Sequence, residues 1–287
     1  MGGARCVAGF CGESPDQSQG LVMLRRGLRY ARRIARDSLA AMPHLGARGA
    51  LYFFLVSPFR ELLSGMLRAP YAIPLKDGQQ AWLRPGTSDR MVFDQIFVTR
   101  EYAPLLVQAD IRKVVDLGAN CGLASLWFLI HFPECSVVYV EPDGSNFEAA
   151  RRNTHAHGTR SRGLRRAIWS ESRRLCLHAA SDEHQGEWGL FVSEDSTGAI
   201  DVVEASTLEE IFASEGLQSV DILKVDIEGA ETELFKTHND WLPAVRSLAI
   251  EIHGREAEEL IGRTLGPSEW EKATSGELTL FRRMGTG

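Results

Sequence analysis

Short apolar runs alternate with stretches of helical spacing from about residue 113 onward. The run Val114–Val115 is followed by a helical stretch from Leu123 to His131, then by the run Val137–Val140 and by a helix from Asn146 to about His155. Strands that alternate with helices are typical of a parallel, doubly wound sheet. The pattern therefore predicts an α/β fold.

The alternation continues to the end of the chain with one interruption. The further elements that it predicts are a third strand at Leu164–Ile168, a helix at Thr207–Glu215, a fourth strand at Val220–Val225, a helix at Ala230–Lys236, a fifth strand at Leu248–Ile252 and a last strand at Leu278–Arg282. Residues 173–203 instead carry alternating apolar positions around three glycines, which predicts a hairpin-like insertion.

The first 112 residues have a different pattern. Residues 1–20 are polar and predict a disordered start, whereas Leu21–Ala41 predicts a basic amphipathic helix with six interleaved arginines. Its arginine face is expected in solvent and its other face on the domain; docking on an anionic membrane is the less favoured alternative. Residues 50–112 are broken by prolines and predict a helix and a small strand pair. We therefore predict three parts: 1–20, a helix and cap at 21–112, and the α/β domain at 113–287.

Composition and charge narrow the function classes. The chain has 287 residues, 44% hydrophobic residues and a net charge of −6, so it has material for a core and no basic excess that predicts nucleic-acid binding. The five cysteines are scattered without a CxxC pair, which favours a reducing compartment. The first residues do not resemble a signal peptide, and the apolar run Ala50–Val56 is too short to span a bilayer. A cytoplasmic location is the expectation.

A glycine-containing loop follows the first strand of the domain. The sequence Val114-Val115-Asp116-Leu117-Gly118-Ala119-Asn120-Cys121-Gly122 leads directly into a predicted helix, where an open α/β sheet forms its ligand crevice. Gly118 and Gly122 permit tight turns and close approach to a ligand, and the helix N-terminus offers free N–H groups to a carboxylate. This loop is therefore a candidate cofactor site.

The residues of the loop favour one cofactor over another. Asp116 would repel a pyrophosphate but attract an ammonium, and the spacing from Gly118 to Gly122 is not the G-x-G-x-x-G of dinucleotide sites. S-adenosylmethionine carries an ammonium, a carboxylate and a sulfonium, and it is the cofactor that the loop predicts. NAD is the alternative.

Polar residues after the second strand extend this candidate site. Glu141 ends the strand at Val140, where a carboxylate can accept hydrogen bonds from both ribose hydroxyls. Asp143 and Asn146 follow on the same turn and can reach the adenine side, although Asn146 can equally cap the next helix.

Charged residues at two further strand ends predict an active site on the same rim. Lys224, Asp226 and Glu228 share one face of an extended segment after the fourth strand, and Glu251 and His253 do the same after the fifth. Transfer of a methyl group to an alcohol needs a base or a metal for the hydroxyl proton.

The roles of these charged residues have alternatives. His253 is the first candidate for the base and Asp226 is the second. Lys224 can instead form an ion pair with Asp226 or Glu228 that only steadies the loop. Asp226, Glu228, Glu251 and His253 can also hold a divalent ion, but no metal is expected because no dense metal-spaced motif is present.

Four segments together resemble the FkbM family of methyltransferases. They are VVDLGANCGLASLWF, VYVEPDGSNFEAARRN, LKVDIEGAE and LAIEIHG, and the resemblance runs from about Arg84 to His253. It implies a Rossmann-like, seven-stranded methyltransferase sheet and O-methylation of sugar or polyketide-like hydroxyls, so a small-molecule or glycan acceptor is expected. The alternatives are an NAD-dependent oxidoreductase on the same sheet and a cofactor-binding scaffold without catalysis.

The resemblance also implies roles for individual residues. The methionine end of S-adenosylmethionine falls to Asp116, Gly118, Asn120 and Gly122, the ribose to Glu141, and the adenine region to Ala167 and Ile168. The side chains that face the acceptor are then Lys224, Asp226, Glu228 and His253.

Overall fold

The computed structural model describes residues 45–179, 189–236 and 239–284. The predicted disordered start at 1–20 and the predicted arginine-rich helix at Leu21–Ala41 lie outside these residues. The strands are β1 (Tyr71–Pro74), β2 (Gln80–Leu83), β3 (Lys113–Leu117), β4 (Ser136–Val140), β5 (Ser161–Leu164), β6 (Ala167–Ile168), β7 (Arg173–Ala179), β8 (Leu190–Ser193), β9 (Asp201–Ser206), β10 (Val220–Val225), β11 (Val245–Glu251), β12 (Trp270–Ser275) and β13 (Leu278–Arg283).

The helices lie between these strands and at the start of the described chain. The α-helices are α1 (Ser57–Leu62), α2 (Asp89–Phe93), α3 (Leu123–His131), α4 (Gly144–Thr154), α5 (Leu208–Ser214), α6 (Glu231–Lys236) and α7 (Arg255–Thr264). Helical residues 45–51 and a π-helical stretch at Tyr52–Val56 lead directly into α1. A second π-helical stretch at Asp94–Thr99 follows α2, and short 3₁₀ turns connect several of the other elements.

A seven-stranded sheet forms the centre of the described chain. Its strand order is β12-β13-β11-β10-β3-β4-β5. The pairs from β11 through β5 are parallel, whereas β13 pairs antiparallel with both β11 and β12. The four residues Val114–Leu117 of β3 are all buried, as expected for a strand covered on both faces. The predicted doubly wound, seven-stranded α/β fold is confirmed.

Two apolar cores cover the two faces of this sheet. One core packs α3 and the N-terminal segment against the sheet, with Phe53, Phe93 and Trp127 among its largest buried side chains. The other core packs α5, α6 and α7 against the opposite face. The antiparallel pair β1–β2 lies in the N-terminal segment, where the sequence predicts a small strand pair.

A second, four-stranded sheet interrupts the α/β alternation. Its order is β6-β9-β7-β8, and β7, β8 and β9 pair antiparallel within the predicted insertion. The predicted third strand at Leu164–Ile168 is wrong as one element. Leu164 ends β5 in the central sheet, whereas Ala167–Ile168 pairs with β9 in the second sheet. The two apolar ends of that stretch belong to different sheets, separated by Arg165 and Arg166.

No helix in the described ranges combines the length and hydrophobicity needed to cross a bilayer.

Candidate active site

A pocket opens at the carboxyl ends of β3, β4 and β10, where an open α/β sheet binds its ligands. Its lining contains six of the nine predicted cofactor residues and two of the four predicted catalytic residues. The lining residues are Gly118, Asn120, Val140, Glu141, Pro142, Asn146, Arg166, Ala167, Ile168, Leu190, Val192, Asp226, Ile227, Glu228 and Ala230. Asp116, Gly122, Asp143, Lys224 and His253 are not among them.

The two loop glycines are required for packing of the protein against itself. Gly118 has φ of +71°, and a Cβ there would overlap the carbonyl oxygen of Asp226. Gly122 has φ of +76°, and a Cβ there would lie 2.5 Å from Cα of Ala150 in α4. Gly118 lets β10 approach the loop and Gly122 lets α3 approach α4. Gly118 also lines the pocket, and the expected ligand contact of the two glycines stays a prediction.

Glu141 is held at the floor of the pocket by two backbone amides. Its Oε2 accepts a hydrogen bond from the backbone N–H of Asn120 at 2.8 Å, and its Oε1 accepts one from Asp143 at 2.9 Å. Burial raises the pKa of Glu141 to about 7, although both hydrogen bonds oppose this shift. The carboxylate keeps lone pairs for a ligand, since two oxygens provide about four acceptor sites.

The residues beside Glu141 divide between ligand contact and support. Asp143 caps α4, because its Oδ1 accepts from the backbone N–H of Asn146 at 2.7 Å. The predicted adenine contact of Asp143 stays a prediction, and Asn146 is the capped residue, not the cap. The Asn146 side chain lines the pocket, and its Oδ1 accepts from Nη2 of Arg84 at 2.8 Å. Arg84 is fixed in turn by the fully buried Asp89, at 2.6 Å.

One buried acceptor in the pocket has no partner among the described residues. The loop residue Asn120 has φ of +50°, and its Oδ1 is buried without a hydrogen bond. A buried amide oxygen without a hydrogen bond costs free energy, and a hydrogen-bond donor on a ligand would remove this cost.

Asp116 and Lys224 pair with each other below the loop. Asp116 is fully buried, accepts from Oγ of Ser125 at 2.6 Å, and lies 3.2 Å from Nζ of Lys224. Nζ also donates to the carbonyl oxygen of Gly118 at 2.7 Å. The register explains the pair, because Lys224 and Asp116 are directly opposite in β10 and β3.

This pair bears on two predicted roles. Asp116 is buried below the loop and is not among the residues that line the pocket, so its predicted contact with a ligand ammonium stays a prediction. Lys224 is 3% exposed and contacts the loop from within. Its Nζ also lies 3.4 Å from Oδ2 of Asp226, which is the ion pair offered as the alternative for Lys224. The expectation that Lys224 faces the acceptor stays a prediction.

The second sheet supplies one wall of the pocket. Ala167 and Ile168 line it from β6, as the resemblance implied, and both are buried. Leu190 and Val192 of β8 line it from the insertion, and the sequence had not singled them out. This apolar wall is suited to the flat face of a purine.

His253 lies at the centre of a carboxylate cluster beside the pocket. Its Nδ1 is 3.1 Å from Oε1 of Glu231, while its Nε2 is 3.5 Å from Glu251 and 3.7 Å from Glu228. Hydrogen bonds to Glu231 and Glu251 raise the pKa of His253 to about 11. The imidazole is therefore protonated near neutral pH, which removes its capacity to accept a proton. This direction does not favour His253 as the base, a role that stays a prediction.

Two carboxyl groups near His253 have raised pKa values that suit them to accept a proton. Burial, reinforced by the charge of Asp226, raises the pKa of Glu228 to about 7. Burial raises the pKa of Asp226 as well. Glu228 also has φ of +52°, a strained conformation for a residue with a Cβ. A carboxyl group with a pKa near 7 is suited to accepting a proton at neutral pH.

Two further acidic residues lie in this region. Glu231, to which the sequence gave no role, is fully buried and accepts hydrogen bonds from the backbone N–H groups of Ile227 and Gly229. These bonds hold the Glu231 carboxylate against Nδ1 of His253. Glu101 comes from the N-terminal segment, and its pKa is raised to about 7 by burial and then by the charge of Glu277. The resemblance to the FkbM family implied that the segment with Glu101-Tyr102 packs beside the cofactor site.

Three side chains of the His253 cluster lie close enough together to bind a metal ion. One ligand atom each from Asp226, Glu251 and His253 lies within 4.8 Å of the others. A carboxylate–carboxylate–imidazole set is compatible with several divalent metals.

Comparison with known proteins places this geometry in a family. The family model described as Methyltransferase FkbM domain matches residues 116–271. The chain is 26% identical to the 31-O-demethyl-FK506 methyltransferase FkbM of Streptomyces tacrolimicus, over 57% of this chain and 74% of that protein. It is also 26% identical to the 2-O-methyltransferase NoeI of Sinorhizobium fredii, over 56% of this chain and 71% of that protein.

Solved structures are more distant. The O-methyltransferase TomG from Streptomyces achromogenes has a TM-score of 0.41 at 13% identity, over 65% of this chain and 79% of that chain. The family model, in contrast, spans more than half of the chain, from Asp116 in β3 to Glu271 in β12. This chain belongs to the FkbM family of S-adenosylmethionine-dependent methyltransferases.

Proposed function

We propose that this chain transfers the methyl group of S-adenosylmethionine to a hydroxyl group of a small molecule, such as a sugar or a polyketide. The observation that carries the proposal is that Asp226 and Glu228 line the cofactor pocket and also border the His253 cluster. Groups that can take a proton therefore lie at the end of the pocket where an acceptor would meet the cofactor. The names of two relatives, a 31-O-demethyl-FK506 methyltransferase and a 2-O-methyltransferase, describe methyl transfer to oxygen and support a hydroxyl as the acceptor.

The pocket residues fit this cofactor. Glu141 has free acceptor sites for ribose hydroxyls, and the apolar wall of Ala167, Ile168 and Val192 is suited to adenine. The unpaired Oδ1 of Asn120 can accept from the ammonium of the methionine end. S-adenosylmethionine, when bound, supplies an electrophilic methyl group on a sulfonium.

In our proposal Glu228 removes the hydroxyl proton of the acceptor. Its pKa of about 7 means that a large share of the carboxyl groups is ionised at neutral pH and can accept that proton. Asp226 is the second candidate for this role. His253 contributes its positive charge, which stabilises the acceptor oxygen as negative charge develops on it. Glu231 is a positioning residue, because it fixes the His253 ring from the side away from Glu228 and Glu251.

The proposal is tested by measuring S-adenosylhomocysteine formation with a panel of hydroxylated acceptors. We expect turnover with a hydroxyl acceptor, and at least a tenfold lower kcat in Glu228→Gln, in the range of about 10²–10⁴ for a general base. Glu258→Gln is the matched control, since Glu258 is an exposed carboxylate of α7. Equal turnover in Glu228→Gln and Glu258→Gln would remove Glu228 from the mechanism. Turnover with amine acceptors and none with hydroxyls would overturn the proposed substrate class.

A metal-assisted reaction is the second candidate, favoured by the arrangement of Asp226, Glu251 and His253. These residues would hold a divalent ion that lowers the pKa of the acceptor hydroxyl. Dialysis against a chelator distinguishes the two. Activity that survives the chelator supports Glu228 as the base, whereas activity that is lost and then restored by a divalent ion supports the metal.

A further inference from the structure

Apolar side chains lie in solvent along the first described helical segment and the turn that follows it. Large hydrophobic residues are exposed at 14 positions among the described residues, and eight of them fall between residues 51 and 67. These eight are Leu51, Leu55, Val56, Phe59, Leu62, Leu63, Met66 and Leu67. We name this set the apolar stripe. Exposed apolar side chains that are scattered singly need no explanation, but a contiguous set indicates an interaction surface.

The helical part of the stripe lies on one face. Its most exposed members are Phe59 at 67%, Leu62 at 80% and Met66 at 83%. Leu51, Leu55, Phe59 and Leu62 are separated by four, four and three residues, which places them on one face of the helical segment, whereas Met66 lies in the turn that follows α1. The opposite face carries Phe53, which is fully buried in the core and packs against Phe93 with ring centroids 4.8 Å apart. One face of the segment therefore packs in the core, and the other face is exposed to solvent.

The charges on this segment are almost all positive. Arg48 and Arg68 are exposed at the two ends of the stripe, and Arg60 lies between them. The one acidic residue between residues 45 and 70, Glu61, is engaged by the protein itself. Its two oxygens accept from the hydroxyl of Tyr71 at 2.8 Å and from the backbone N–H of Gly86 at 2.7 Å. The surface therefore combines apolar side chains with arginines whose charge is not balanced by an exposed acid of the same segment.

We infer that the apolar stripe docks on the surface of a membrane that contains anionic phospholipid. An apolar helix face with flanking arginines binds in the headgroup region, where the apolar side chains enter the acyl boundary and the arginines contact phosphate. The charge favours this occupant over a second copy of the chain, because a two-fold contact would set the arginines against their own copies. Charge also argues against the segment at residues 25–36 as the group that covers the stripe, because its six arginines would lie close to the arginines that flank the stripe.

The test measures co-sedimentation of the full chain with vesicles. One preparation contains equal parts of phosphatidylcholine and phosphatidylglycerol, and the other contains phosphatidylcholine alone. We expect binding to the anionic vesicles that weakens at high salt, and little binding to the neutral ones. The combined variant Phe59→Ser, Leu62→Ser and Met66→Ser is expected to lower the partition coefficient at least tenfold. The reason is that each substitution removes apolar groups that the membrane would bury.

The matched control is the variant Val107→Ser with Ile200→Ser, which removes two exposed apolar side chains from other surfaces, 79% and 57% exposed. The control should bind vesicles like the wild type, and circular dichroism should be unchanged in both variants. Equal vesicle binding by the combined variant and the wild type would overturn the inference, because the arginines alone would then account for it. Absence of vesicle binding, with a wild-type dimer that the combined variant converts to a monomer, would also overturn it and assign the stripe to a contact between copies.

Discussion

Replacement of Lys224 by Met should destabilise the fold strongly, although the residue was first expected at the acceptor. Its ammonium lies 3.2 Å from Oδ1 of Asp116, 3.4 Å from Oδ2 of Asp226 and 2.7 Å from the carbonyl oxygen of Gly118. Lys224 is 3% exposed and Asp116 is fully buried, so water cannot replace the lost charge. Removal of one partner of a buried ion pair costs about 3–5 kcal/mol.

Urea unfolding measures this change, with Lys113→Met as the matched control. Lys113 is the exposed lysine at the start of β3, and its substitution should change the free energy of unfolding by less than about 0.5 kcal/mol. Adding Asp116→Asn to Lys224→Met should recover part of the loss, because one buried carboxylate is then no longer unpaired. A loss below about 1 kcal/mol for Lys224→Met, equal to that of the control, would refute the buried ion pair.

Three further predictions concern the pocket. Gly118→Ala should abolish cofactor binding in titration calorimetry, because its Cβ would overlap the carbonyl oxygen of Asp226, whereas Gly78→Ala, at a similar φ of +75° with open space, should bind normally. Glu141 has a pKa of about 7 in the folded chain against an ordinary 4.5, so its contribution to stability is present below pH 4.5 and lost as pH rises towards 7; thermal melts of Glu141→Gln should lack this loss. With saturating cofactor, kcat should rise through about pH 7 as Glu228 ionises and fall towards pH 11 as His253 loses its proton. Glu228→Gln should remove only the rise near pH 7, and a rise that persists in this variant would contradict the assignment of Glu228 as the base.

Local sequence predicts those parts of the fold that depend on hydrophobic periodicity. Helix Leu123–His131 and strand Val220–Val225 occur with the predicted bounds, because their apolar positions match one period without interruption. The stretch Leu164–Ile168 misled the prediction, since two strands of different sheets lie three residues apart. Arg165 and Arg166 interrupt the apolar stretch, but only the neighbour with which each strand pairs assigns the two ends to different sheets.

The candidate site shows the same division between local and long-range information. Glu141 was predicted from its position at a strand end and Asn120 from the family resemblance, and both line the pocket. The role of Lys224 depends on its register opposite Asp116, which sequence spacing does not reveal. Glu101 reaches the acidic region from a segment far away along the chain. The protonated state of His253 is likewise a property of three carboxylates that converge only in the fold.

The most direct test of the central claim is a calorimetric titration of the full chain with S-adenosylmethionine and, separately, with NADH. We predict saturable binding of S-adenosylmethionine, at least tenfold weaker in Glu141→Gln because the ribose hydroxyls lose a charged acceptor worth about 1.5–3 kcal/mol, and no binding of NADH. Binding of NADH alone, or S-adenosylmethionine binding that is unchanged in Glu141→Gln, would contradict the assignment of this pocket.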